Sequence, residues 1–111
     1  MRISSNDEKE FLLKVFKIDG FSDSNAESLS ASLTDADLRG ISSHGIQRLA
    51  WYTSMIKDHI VVPKNEPEIL NETPATLFVD ANKNIGQIPG VFTTKRLIEK
   101  AKKTGVAIGV V

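Results

Sequence analysis

The chain has 111 residues, 41% hydrophobic and 25% charged, the proportions of an ordinary folded domain with room for one modest core. Its 14 basic residues balance 14 acidic ones, so no net field draws it to nucleic acid or to an anionic membrane. Cysteine is absent, which excludes a disulfide framework and thiolate metal ligands, and no apolar leader or membrane-length run occurs, so the expected setting is the cytoplasm.

Ser5 and Glu8 have the spacing of a capping box, and Phe11, Leu12, Val15 and Phe16 follow at helical intervals until Gly20, which predicts a first helix from about Asn6 to about Ile18. Ser22 caps a second helix, on which Ala26, Leu29, Leu33 and Ala36 step by three and four before Gly40 ends it, so the two helices are expected to pack as an antiparallel pair. A third helix is expected from Ser43 or His44 to about Lys57, followed by the proline-bearing connector VVPKNEP.

Two short strands are predicted over Glu68 to Asn71 and Thr76 to Asp80, around the turn ETPA. The polar stretch NKNIGQIPG then leads into a fourth helix with Pro89 in its first turn, a stripe of Val91, Ile98 and Ala101, and Gly105 as its stop. A final strand, VAIGVV, closes an α+β pattern: three helices, a short β-hairpin, a further helix and a terminal strand. Because that strand is apolar up to Val111 with no polar tail, the chain is expected to be part of a longer polypeptide, with a helical region over about 5–58 and an αβ region over about 66–111.

The third helix carries the chemistry. Ile46, Leu49, Ala50, Thr53 and Ile56 fall on one arc, read as the core-facing stripe, while His44, Arg48, Tyr52 and Met55 share the opposite face with Trp51 beside them. An imidazole, a guanidinium and a phenol together can bind and protonate a small acidic substrate. The same residues also have plainer readings: His44 as a first-turn residue bonding a carbonyl, Ser42 and Ser43 as N-caps, Arg48 and Tyr52 as interface anchors. His59, past the helix, reads as surface or structural. The glycines of NIGQIPG lack the G-x-G-x-x-G spacing of a classical dinucleotide loop.

The run ADLRGISSHGIQRLAWY, with IVVPKNEPEIL, ATLFVDANKNIGQIPG and KAKKTGVAIGVV after it, resembles the malate/L-lactate dehydrogenase family, a group without a classical Rossmann domain that includes ureidoglycolate and diketogulonate dehydrogenases. The resemblance covers nearly the whole chain. It implies that His44 is the proton donor and that Ser43, Arg48 and Tyr52 line the substrate pocket. It further implies reversible hydride transfer between NAD or NADP and a 2-oxo, 2-hydroxy or imino acid, the cofactor held mainly by residues beyond this chain, in a homodimer. Asp80-Ala81-Asn82 stands where the family more often has an aspartate-glycine pair. The family also continues past this last strand into an asparagine-serine-x-histidine motif and a cofactor-binding domain, so the 111 residues alone are expected to show no turnover. Two alternatives come from other classes. One is a helix-turn-helix presenting His44, Gln47, Arg48 and Trp51 to DNA, which the balanced charge disfavours; the other is a non-catalytic oligomerisation module.

Overall fold

The computed structural model describes residues 2–111. The chain divides into two compact units, one ending at Lys64 and one over Asn65–Val111.

The first unit holds α1 (Ser5–Ile18), α2 (Asp23–Leu38), a 3-10 turn (Ser42–His44) and α3 (Arg48–Lys57). The cap of α1 is Ser4, one residue before the expected Ser5: its hydroxyl accepts from the Asp7 N–H at 3.0 Å and donates to the Asp7 carboxylate at 2.7 Å. The Ser4-Ser5 pair offers two registers, each with an acid three residues on; in the one adopted Asp7 bonds Ser4, while Glu8 is buried. Ser4→Ala is therefore expected to cost about 1 kcal/mol, and Ser5→Ala much less; urea midpoints of the two variants check the order. Ser22 caps α2 as expected, accepting from the Asn25 N–H at 3.2 Å.

The α1–α2 pair buries Leu12 and Phe16 against Ala26, Leu29 and Leu33. Both helices end in the same closure. After α1, Phe21 N–H bonds the Phe16 carbonyl at 3.1 Å, and the two rings meet edge to face at 5.8 Å. After α2, Gly40 takes φ +74° and Ile41 N–H reaches back to the Ala36 carbonyl at 2.8 Å. This six-to-one bond satisfies carbonyls the helix leaves orphaned, and it needs the left-handed residue that glycine provides. His59 fills the equivalent position after α3, at φ 57° with Ile60 N–H bonded to the Met55 carbonyl at 2.9 Å, so its place in the fold is a helix stop.

The second unit is a three-stranded sheet in the order β1 (Glu68–Glu72), β2 (Thr76–Asp80), β3 (Ile108–Val110), with α4 (Gln87–Thr104) leading into β3. β1 and β2 form the expected antiparallel hairpin, with an irregularity between Ile69 and Asn71, and β3 runs parallel to β2. Alternation along β2 buries Leu77 and Val79 and exposes Phe78. Lys100 ties α4 to the hairpin, reaching the Glu72 carboxylate at 2.9 Å and the Thr73 carbonyl at 2.7 Å.

The stripe expected on α4 is not the buried one: Val91 and Ile98 are exposed, and the helix buries Ile88, Pro89 and Thr93. Gly109 explains why that side wins. Its Cα lies so close to Leu97 and Thr93 that an added Cβ would sit 2.7 Å from Leu97 Cδ1 and 2.9 Å from Thr93 Cγ2, so the face of α4 carrying these residues packs directly on β3.

Candidate active site

His44 does not stand on the third helix. It ends the 3-10 turn that follows the α2 stop, and α3 begins four residues later at Arg48. The turn is held by its own backbone: His44 N–H bonds the Ile41 carbonyl at 2.9 Å and Gly45 N–H the Ser42 carbonyl at 3.1 Å. Ser42 and Ser43 consequently form the turn and do not cap α3, whose start has no side-chain cap.

The break is imposed from α2. The Asp37 carboxylate accepts the Ile46 N–H at 2.6 Å, and it lies where a Cβ on Gly45 would collide with it. Only glycine lets backbone and carboxylate approach this closely. The chain is therefore extended at Gly45 (φ −93°, ψ −151°), and α3 begins only at Arg48.

With the helix starting later, the face inferred for it also changes. Tyr52 is the buried residue of α3, 9% exposed, and it does not share the solvent-facing side with His44. Ala50, expected in the core stripe, is exposed, while Ile46, Leu49, Thr53 and Ile56 are half-buried. The DNA-reading alternative loses its single presented helix, since His44 precedes α3.

Ser43, His44 and Arg48 are brought together, through Ser43. Its hydroxyl meets His44 Nδ1 at 3.0 Å, and its carbonyl accepts from Arg48 Nε at 2.6 Å. Each basic side chain is thus held by its inner nitrogen. Among the described residues, His44 Nε2 and the Arg48 Nη groups make no hydrogen bond or ion pair. The Arg48 guanidinium also lies over the Trp51 ring, 5.1 Å from its centroid, and Trp51 in turn contacts Tyr52 at 5.7 Å between rings. Stacking on an aromatic face fixes the plane of a guanidinium, which is what bidentate recognition of a carboxylate requires.

Asp37 is the residue whose part in this site sequence reasoning missed. Its tie to Ile46 spans nine positions, outside any helical spacing, and the only local sign is a glycine directly after a histidine, where a helix start was expected.

No group of three or more His, Asp or Glu among the described residues is placed to hold a metal. The start of α4 lacks the glycine spacing of a classical dinucleotide loop: Gly86 and Gly90 are four apart, and Asn84 just before them is engaged, its amide donating to the Asn65 carbonyl at 2.6 Å and its oxygen accepting the Ile85 N–H at 2.8 Å. What this chain presents is an imidazole and a guanidinium held side by side, groups that can bind and protonate a small acid. No helix among the described residues is long and apolar enough to cross a membrane.

Comparison with known proteins agrees with this fold. The chain is 33% identical over 108 residues to the L-sulfolactate dehydrogenase of Methanocaldococcus jannaschii, covering 97% of this chain and 31% of that protein. It is 35% identical over 108 residues to the malate/(S)-sulfolactate dehydrogenase of Methanothermus fervidus, covering 97% and 32%. Among solved structures it superposes on malate dehydrogenase from Entamoeba histolytica with a TM-score of 0.89 at 38% identity, covering 93% of this chain and 29% of that one. On malate dehydrogenase from Pyrococcus horikoshii the TM-score is 0.93 at 30% identity, covering 97% and 31%. The chain therefore spans about 30% of the length of these relatives. Residues 3–111 match the malate/L-lactate dehydrogenase family, and the chain belongs to it.

Proposed function

We propose that this chain is the substrate-handling part of an oxidoreductase that moves a hydride between NAD or NADP and a 2-oxo or 2-hydroxy acid, with His44 as proton donor and acceptor, in a whole protein about three times its length. The observation that carries the reading is the shared anchorage on Ser43, which leaves His44 Nε2 and the Arg48 Nη groups to act outward. Arg48 grips the substrate carboxylate, and its stacking on Trp51 sets the angle of that grip. As the 2-oxo carbon receives hydride, negative charge develops on its oxygen, and the imidazolium of His44 supplies the proton that completes the 2-hydroxy acid; in the oxidative direction the neutral imidazole takes it back. Ser43 orients the ring through Nδ1, so that Nε2 faces the reacting oxygen. Buried Tyr52 serves by packing beneath Trp51. The nicotinamide, when bound by other parts of the whole protein, supplies the hydride, and the family resemblance supports a homodimer as the assembly.

Relatives named delta(1)-pyrroline-2-carboxylate reductase, 26% to 28% identical to this chain, put cyclic imino acids beside the 2-oxo acids as substrates to test. The test is oxidation of NADH and NADPH by the whole protein over a panel of both substrate classes. Absence of turnover with every pair would sink the reading, as would robust turnover by the 111-residue chain alone. Arg48→Gln is expected to raise KM for the acid about 10- to 100-fold, because one charge-assisted carboxylate contact is worth about 1.5–3 kcal/mol. Steady-state kinetics of this variant with the best substrate reads it.

A further inference from the structure

We propose that Glu8 and Asp37 form a positioning pair for His44: the Asp37 carboxylate clamps the backbone just after the histidine, and the Glu8 carboxyl, shut in behind it, holds Asp37 in place. The inference rests on the reading of His44 as the proton donor and adds two residues that touch no substrate.

The clamp is seen in the 2.6 Å bond from Ile46 N–H to Asp37, and the same carboxylate leaves no room for a side chain at position 45. A carboxylate aimed at one backbone N–H makes a short, charge-assisted bond. Swinging of the Gly45–Ile46 peptide would move the 3-10 turn, and with it the imidazole, so the bond fixes where His44 Nε2 points.

Glu8 is the second part. It comes from α1, is 8% exposed, and its Oε1 is buried without a hydrogen-bond partner, as is the Thr34 hydroxyl beside it. Burial raises the Glu8 pKa first, then its hydrogen bond with Asp37 and the Asp37 charge, while Thr34 works in the opposite direction. Burial and a neighbouring carboxylate both favour the form of Glu8 that keeps its proton, which can then be donated toward Asp37. Charged and basic groups of the unit with bonds elsewhere include Lys9 with Glu27, Lys17 with Asp23, Arg39 with Asp35, and His44 and Arg48 at Ser43. Asp37 is the charge that acts on Glu8.

The direction of the pH effect follows. The folded chain holds the Glu8 proton more tightly than the unfolded chain, so the stabilisation is present below the ordinary glutamate value of 4.5 and is lost as pH rises from there through the raised value. Once Glu8 ionises, two carboxylates repel under the turn and the clamp on Ile46 loosens.

The experiment compares Glu8→Gln, Glu8→Leu and Asp37→Ala in the whole protein, reading the amide-exchange protection of Ile46 against pH, and kcat and KM for the acid. Glu8→Gln keeps a donor toward Asp37 and is expected to keep kcat and Ile46 protection while abolishing the loss of protection with rising pH. Glu8→Leu and Asp37→Ala are expected to lose Ile46 protection and to lower kcat about 10- to 100-fold with KM little changed, the signature of a misplaced proton donor. Should Asp37→Ala fail to fold, Glu8→Leu carries the test. Unchanged Ile46 protection in Glu8→Leu, or lost protection with unchanged kcat, overturns the proposal. Exchange at Ile46 needs no substrate, and His44→Ala kinetics are measured in parallel, so a failed clamp and a failed donor are separate results.

Discussion

His44→Ala is expected to lower kcat of the whole enzyme about 10²- to 10⁴-fold, the range that one positioned general acid contributes. The fold around it should be nearly untouched. His44 is exposed and its side chain hydrogen-bonds the Ser43 hydroxyl, while its backbone is fixed by the Ile41 carbonyl and by the clamp two residues on. Exposed positions of this kind change stability by less than about 0.5 kcal/mol. A large kinetic loss with an unchanged urea midpoint and unchanged assembly identifies the imidazole as chemical. If kcat holds while the oligomer dissociates, the histidine is an interface residue and the non-catalytic reading replaces the enzyme one. Ser43→Ala gives an intermediate result on the same logic: the imidazole remains, but Nδ1 loses its partner and Arg48 keeps its bond to the Ser43 carbonyl, which the substitution does not remove.

The elements that local sequence determines were legible: the extents of the first two helices, their glycine stops, the hairpin and the final strand all follow from spacing and turn residues. The error lay at Gly45. Counting helical positions from His44 put Tyr52 two turns on, on the same face; the true helix starts at Arg48, so the count crosses a segment that is not helical. What breaks the helix is the Asp37 carboxylate, a tertiary contact from another helix that no local pattern reports. Periodicity is a statement about one continuous helix and fails wherever a long-range bond interrupts it. The grouping of Ser43, His44 and Arg48 could still be read, because all three lie within six positions and a 3-10 turn brings them together nearly as a helix would. Tyr52 is what the error displaced. The stripe on α4 failed for a related reason: Val91 and Ile98 have helical spacing, but the close approach of Gly109 to Leu97 and Thr93, which decides the buried side, comes from the strand after the helix.

Phe16→Ala should cost about 3–5 kcal/mol, the range for deleting a buried ring whose site cannot collapse. Phe16 is fully buried, stacks edge to face on Phe21, and supplies the carbonyl that closes α1 through Phe21 N–H. Its loss leaves a cavity between α1 and α2 together with a weakened turn, since the apolar contact across that closure helps to hold it. Phe11, on the same helix but 52% exposed, is the control: Phe11→Ser is expected to stay within about 0.5 kcal/mol, as substitutions away from the core do. Urea unfolding of the 111-residue chain with the two variants measures the difference. The comparison bears on the proposed pair, because α1 carries Glu8 and α2 carries Asp37, and the packing of the two helices brings Glu8 to Asp37. If Phe16→Ala unfolds no more easily than Phe11→Ser, the α1–α2 core is not the one described, and the placement of Glu8 behind Asp37 falls with it.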